Sequence, residues 1–433
     1  MRPAVTSGTD KPDHIVKAAI EEFLERGYQE SSIEGIARRA VAGKQTIYRY
    51  FTDKEDLFVH VVERMQYYES FNEQLPFNKS LAPEQILFEM SQRYQEAVLH
   101  PNWRNAFRLN ISIVSYFPEI ADRLHLARLA RNRRVVKYLK ELSDRNFLNA
   151  ADIELATRQF GFLSIESLRV GMGFPARSPS QRDEVARRVV RLFLFGHRAA
   201  CDQRRHRVSQ SENLTDEASY PTPQSCARPA PKSIFISADR LDQILDVAGA
   251  EFFREGYRRG SVNRIAEVAN TPKTTIYRHF TNKDGLFIAS MLRTLAKLPV
   301  TARKWTDDSR APSLVITDIA RAFLDAFLDP LSIQLYRTVI AEVNRFPELA
   351  QKIYCMASKE LIESAAEYIS RLSEQEMPLG DHALWSARQL MVLAINGNVY
   401  IATQIRPTDA EKAKLASDVA HVFMNGYATQ PAK

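Results

Sequence analysis

The chain carries the same helical pattern twice. Lys44 to Phe51 reads KQTIYRYF, and Lys273 to Phe280 reads KTTIYRHF, 229 positions further on. That spacing holds without a gap from Ile15/Ile244 to Phe58/Phe287, where 20 of 44 aligned pairs are identical. It persists beyond the motif: Phe117-Pro118-Glu119 falls on Phe346-Pro347-Glu348, and Arg108 on Arg337. Towards the end it slips by one, so that Arg158-Gln159 meets Arg388-Gln389 and Gly196 meets Gly426. A short motif cannot match over such a span. One whole unit of about 200 residues has been duplicated, and the fold must be one that this unit adopts twice.

The 433 residues accommodate two such units, each long enough to bury a core of its own. With 45% hydrophobic and 26% charged residues, the chain has the balance of an ordinary globular protein. A net charge of +7 suits a nucleic-acid partner without requiring one. Cys201, Cys226 and Cys355 lie far apart, with neither metal-ligand spacing nor a disulfide framework, which fits a reducing cytoplasm. The leading MRPAVTSGTDKPD is polar and has no apolar signal core. The most apolar stretch, Leu384 to Ala402, is interrupted by Arg388, Gln389, Asn396 and Asn398, and so reads as a buried helix rather than a membrane span. The histidines are scattered. No phosphate-cradling loop and no nucleophile–base pair stands out, so no catalytic residue, metal site or cofactor is expected.

Apolar residues recur at spacings of three and four, as in Ile15, Ala18, Ala19, Phe23 and again in Ile244, Val247, Ala248, Phe252. Both halves should be all-α, with about nine helices each. Gly27 and Gly256 follow the first helix, where a left-handed C-cap favours glycine. Ser31 with Glu34 has capping-box spacing at the second helix, and Thr408 with Glu411 has it at the last. Pro118 and Pro347 should open helices. Residues 202–233 contain RRHR and then PTPQSCARPAP with few aliphatics, and 205–233 read as a flexible linker able to reach at most about 100 Å.

The repeated motif has the layout of a helix-turn-helix, in which one helix braces and the next enters the major groove. The bracing helices are expected over 32–40 and 261–269, and the reading helices over 44–50 and 273–279. Ala37, Ala40, Ala266 and Ala269 allow the close crossing; Ile36, Ile47, Phe51 and Ile265, Ile276, Phe280 fill the small core. The exposed set is then Lys44, Gln45, Thr46, Tyr48, Arg49, Tyr50 and Lys273, Thr274, Thr275, Tyr277, Arg278, His279, side chains suited to phosphates and base edges.

These residues resemble the TetR family of bacterial transcriptional regulators. Phe23 to Tyr28, Ser32-Ile33, Ile36-Ala37, TIYRYF and Asp53-Lys54 before Leu57-Phe58 carry the likeness in the first half. Phe252, Gly256-Tyr257, Ser261, Ile265-Ala266, TIYRHF and Lys283 before Leu286-Phe287 carry it in the second. FPEIA and FPELA resemble one efflux-regulator type of C-terminal domain. The resemblance implies that Ser32, Tyr48, Tyr50, Lys54 and Ser261, Tyr277, His279, Lys283 hold phosphates, and that positions 44–46 and 273–275 face bases. It also implies a double-stranded DNA operator and a small-molecule effector as partners. Val41 departs from the glycine common in the turn, and a β-branched residue is awkward at positive φ; Asn270, its counterpart, tolerates it. Residues 10–63 carry 8 basic and 11 acidic residues, against 9 and 7 over 239–293. The first unit is therefore expected to be the weaker reader.

The expected layout is a helix-turn-helix domain at 10–60, a helical effector and dimerisation domain at 61–204, the linker, a second reader at 237–290 and a second helical domain at 291–428. Trp103, Phe107, His125, Phe162, Glu166 and Arg169, with Tyr336 and Met391, are candidate effector-pocket residues. Ordinary members of the family pair as homodimers through their last two helices. Here Val185 to Phe195 and Val419 to Phe423, preceded by Ala156 to Val170 and Ala387 to Tyr400, are placed to pair within one chain, so an intramolecular pseudo-dimer is expected ahead of a homodimer. The function expected is that of a cytoplasmic, nucleoid-associated bacterial regulator, a repressor relieved by an apolar or amphipathic ligand. The rival reading is a ligand-sequestering or protein-interaction module with vestigial readers.

Overall fold

The computed structural model describes residues 13–66, 80–196, 237–299, 305, 309–375 and 383–426. Among these there are helices and no strands. The expected linker lies outside the described residues. The first half contains α1 (Asp13–Glu30), α2 (Ile33–Arg39), α3 (Lys44–Tyr50), α4 (Lys54–Gln66), α5 (Pro83–Leu99), α6 (Pro101–Ile113), α7 (Pro118–Arg131), α8 (Arg133–Asp144), α9 (Ile153–Ile165), α10 (Ser167–Gly171) and α11 (Pro179–Phe195). The second half repeats the series as α12 (Ala238–Arg259), α13 (Val262–Val268), α14 (Lys273–Phe280), α15 (Lys283–Ala296), α16 (Pro312–Leu328), α17 (Pro330–Ala341), α18 (Pro347–Ala357), α19 (Lys359–Gln375), α20 (Ala383–Ala394), α21 (Val399–Ala402) and α22 (Asp409–Asn425).

That is eleven described helices per half rather than nine, and one of the two extra helices has a local cause. The stretch expected as one buried helix from Leu384 to Ala402 is broken, with Asn396 and Gly397 at φ 52° and 63°. The first half breaks at the matching place, where Glu166 has φ 46°. The proline starts hold: Pro118 and Pro347 open α7 and α18, where the missing N–H costs nothing. Thr408 and Glu411 form the expected capping box, and Ser178 with Gln181 forms another that sequence reading passed over. At the second helix the cap is Ser32, which accepts from the Gly35 N–H at 3.0 Å. Ser31 instead donates its hydroxyl to the Glu22 and Gly27 carbonyls. Gly27 and Gly256 do take positive φ, but at ψ 173° and 170° they kink a continuing helix instead of closing it in the left-handed α region.

Each reader domain closes over an aromatic cluster. Phe23 and Phe58 meet edge-on with Tyr28, and Phe117 packs on Tyr28 at 4.7 Å between ring centroids. Phe252, Phe287, Tyr257 and Phe346 repeat the arrangement, with 5.2 Å between Tyr257 and Phe346. The phenylalanine of the repeated FPE segment thereby joins the helical body to the reader domain in both copies. In the body, helices meet their own counterparts, α6 against α17, α9 against α20 and α11 against α22. Gly196 and Gly426, both at positive φ, sit where a Cβ would collide with the backbone of the opposite half. Polar bonds also cross between halves: Gln389 to Glu166 at 3.1 Å, Gln404 to the Val114 carbonyl at 3.0 Å and Gln351 to the Gly173 carbonyl at 2.9 Å. The cores do not divide at the repeat boundary. One cluster runs through both bodies and the second reader domain; the first reader domain keeps a cluster of its own, completed by Ala106, Leu109, Ile113, Ile120 and Leu124.

Candidate nucleic-acid interface and effector cavity

In each reader domain a buried glutamate supports the bracing helix. Glu22 accepts from the Arg39 guanidinium at 2.7 Å, and Glu251 accepts from the Ser261 backbone N–H at 3.1 Å. Sequence reading missed this pair, although the shared glutamates on an otherwise apolar face were visible in the repeat. Ile47 and Ile276 anchor the reading helices in the core. Lys44, Gln45, Tyr48 and Arg49 are exposed on α3, with Thr46 and Tyr50 half-buried; Lys273, Thr274 and Arg278 are exposed on α14, with Thr275, Tyr277 and His279 half-buried.

The two readers are chemically unequal. Lys44 is ion-paired with Glu34, which raises the lysine pKa and lowers that of the glutamate. The position matching Glu34 in the second unit is Asn263, so Lys273 faces no such carboxylate. Arg49 donates to the Tyr50 hydroxyl at 3.0 Å and lies over its ring. Val41 adopts φ 49°, as does Asn270 at 45°, so the valine is held in the conformation that suits it poorly.

The phosphate candidates of the flanking helices are also placed. Lys54 lies 4.5 Å above the Tyr28 ring and Lys283 4.8 Å above Tyr257, and burial lowers both lysine pKa values. Lys283 donates to the Arg258 carbonyl at 2.9 Å. Ser32 and Ser261 are half-buried, each engaged as a helix cap.

The effector candidates do not gather in one place. Tyr336 and Met391 come together with Phe323, Phe327 and Tyr354 around a narrow apolar cavity, about 20 Å³ in open volume, formed by the second half with Leu168 of the first. Trp103 stacks on Phe107 at 5.5 Å in the first half. The indole stands where the second copy has Ser332, a residue of the cavity wall. His125 is half-buried on α7. Phe162 and Glu166 belong instead to the contact between halves. Phe162 packs where a Cβ on Gly397 would fall, and Glu166 accepts from Arg177 at 2.8 Å and from Gln389. Burial opposes the Glu166 charge, but Arg177 and Arg169 outweigh it and hold the pKa below the usual carboxylate value. Arg169 lines a cleft of about 130 Å³ with Arg104, Arg177 and Arg182.

Among the described residues no helix is long and apolar enough to cross a membrane, and no cluster of metal-ligating side chains occurs. Two helix-turn-helix units on helical bodies define a class of DNA-binding regulator. The family profile for bacterial regulatory proteins of the tetR family matches residues 15–61 and 244–290. The profile for the AefR-like transcriptional repressor C-terminal domain matches 85–198 and 315–429. The chain therefore belongs to the TetR family of transcriptional regulators, as a tandem duplication of the whole unit, and members of this family are not enzymes.

Similar proteins include the HTH-type transcriptional repressor NicS of Pseudomonas putida, 40% identical over 80 residues, which are 18% of this chain and 37% of that protein. The HTH-type transcriptional activator FasR of Mycolicibacterium smegmatis is 26% identical over 181 residues, 40% of this chain and 78% of FasR. The chain spans 37%, 62% and 42% of the length of three of the curated relatives it matches, NicS being the first of them. Among solved structures, the flavonoid-responsive regulator FrrA is 25% identical, covering 42% of this chain and 94% of its own, with a TM-score of 0.37. A TetR-family regulator from Mesorhizobium loti is 27% identical, covering 42% and 94%, with a TM-score of 0.35.

Proposed function

We propose that the chain is a single-polypeptide operator-binding repressor in which two dissimilar readers are held by an intramolecular pseudo-dimer and released by an apolar or amphipathic ligand. The observation that carries this reading is the meeting of α6, α9 and α11 with their own counterparts, centred on the reciprocal close approach of Gly196 and Gly426. A patch that meets its own copy is the geometry of a two-fold homodimer, here written into one chain. Both reading helices expose groups suited to phosphates and bases.

The ligand site is the cavity at Tyr336 and Met391. Its free space is small, so a ligand must displace these side chains, and α17 and α18 must move with them. Those helices flank Phe346, which sits against Tyr257 and Phe287 of the second reader domain. A shift in the cavity is thereby passed to reader spacing, a two-state change between operator-fitting and misfitting forms. The test fills the cavity with Met391→Trp and measures operator binding by fluorescence anisotropy across a panel of apolar ligands. Release of DNA from the wild type and retention by the variant is the expected result; equal release from both would remove the cavity from the mechanism.

A second reading, in which the first unit has become a structural partner, draws on the Lys44–Glu34 pair and on Val41. Random-site selection separates the two: a single half-site would favour the structural partner, and two half-sites would favour paired readers.

A further inference from the structure

A cavity of about 250 Å³ lies between the two reader domains, bounded by α1, α6, α12 and the end of α17. It is distinct from the apolar cavity at Tyr336 and Met391, and smaller than the roughly 300–1,000 Å³ of drug-sized ligand sites. Its polar wall differs from anything the duplication alone would produce. Arg108 and Arg337 are the same residue of the repeat. Arg337 is turned to the backbone, donating to the carbonyls of Ile401 at 2.9 Å, Tyr400 at 3.3 Å and Thr403 at 2.6 Å. Arg108 lines the cavity and makes no hydrogen bond or ion pair within 4 Å among the described residues. Glu342 stands where the first copy has the buried Ile113, and its carboxylate accepts no side-chain hydrogen bond among the described residues. Arg258 stands where the first copy has Gln29, and it reaches across to donate to the Glu25 carbonyl of the first reader domain.

We propose that this cavity binds a small organic acid bearing a hydroxyl or amino group, and that occupancy alters the spacing of the readers. The forked guanidinium of Arg108, with Arg258 beside it, takes the carboxylate. Glu342 accepts the hydroxyl or ammonium hydrogens, and Leu109 with Leu24 covers the carbon skeleton. Both groups are half-buried and feel each other's charge with no hydrogen bond between them, so a ligand that bridges the two gains charge-assisted hydrogen bonds at both ends. Burial raises the Glu342 pKa and lowers that of Arg108, and their mutual attraction, with Arg258 and Arg345 also acting on Glu342, offsets only part of it. Because Arg258 and α1 belong to opposite reader domains, a ligand drawing on both wall and floor bears directly on their separation.

The test uses the full chain and a probe set of lactate, mandelate, L-alanine and L-phenylalanine, with mandelamide and phenylalaninamide as carboxylate-free controls. Thermal shift and calorimetry should show at least one acid binding while its amide does not. Arg108→Gln should weaken that binding about tenfold or more, the loss of a charge-assisted contact. Ser112→Tyr, which fills the cavity without changing charge, should abolish it, and Arg108→Lys should keep part of it. Both filling and charge variants are first checked for native helical circular dichroism and an unchanged melting profile without probe. Binding of an acid should also change anisotropy on an operator obtained by random-site selection. The proposal is overturned if none of the four acids binds, if an amide binds as well as its acid, or if binding survives Arg108→Gln and Ser112→Tyr.

Discussion

Val41 is held at φ 49° and is 93% exposed, so its side chain gains nothing from packing to offset the conformation. The left-handed region costs an ordinary residue roughly 1–2 kcal/mol, and Asn270 shows what the same turn accepts more easily. Val41→Asn should therefore stabilise the chain by about 1 kcal/mol, seen as a raised denaturation midpoint, and Asn270→Val should do the reverse. At the DNA surface, Tyr277→Phe and Lys283→Ala should each weaken operator binding without altering base preference, because phosphate contacts position rather than specify. For Lys283→Ala the slope of log affinity against log salt should fall by about 1; a changed consensus with unchanged affinity would show that the residue reads bases instead.

At the scale of elements, the last helices carry the contact between halves. α11 buries Val185, Val189, Leu192 and Phe193, and α22 buries Ala416, Val419, Val422 and Phe423. Both helices end in glycine at positive φ, and each glycine abuts backbone of the other half. Gly196→Ala or Gly426→Ala adds both a strained conformation and a collision, so each should cost about 2–4 kcal/mol. The measurement is thermal unfolding, with size-exclusion chromatography to follow separation or self-pairing of the halves. The proline starts and the Thr408 cap were legible from residue type and spacing, and the last-helix segments were singled out by the family resemblance. Periodicity did not foretell the breaks at Glu166 and Asn396, because a residue at positive φ inside an apolar run leaves no mark on hydrophobic spacing.

For the whole molecule, mass and operator symmetry test the proposed assembly. Light scattering should give a monomer near 49.4 kDa; a stable dimer of chains would mean that each half pairs with its own copy. Dissimilar readers should select dissimilar half-sites about one helical turn apart. Gln45 can pair bidentately with adenine, whereas Thr274 offers a hydroxyl and a methyl. Gln45→Thr should make the two half-sites more alike and cost roughly 1–3 kcal/mol on the native site, read by random-site selection and anisotropy. A palindromic consensus for the wild type would count against paired, unequal readers.

The repeat by itself determined the fold class, the two helix-turn-helix units and which way their reading helices face. These follow from local spacing: Ile47 and Ile276 go inward, and their neighbours on the helix then face out. It did not determine that Thr46, Tyr50, Thr275, Tyr277 and His279, expected among the exposed set, are half-buried. The same offset marked Phe117/Phe346, Arg108/Arg337 and Glu22/Glu251 as equivalents without saying what any of them touches. Tertiary structure assigned Phe117 to the reader cluster and drew Phe162 and Glu166 into the contact between halves. It tied Arg337 to three backbone carbonyls while leaving Arg108 in a cavity. Those outcomes depend on which surfaces of distant segments are brought together. Burial and hydrogen-bond satisfaction are set by that meeting, and no local period along the chain encodes it.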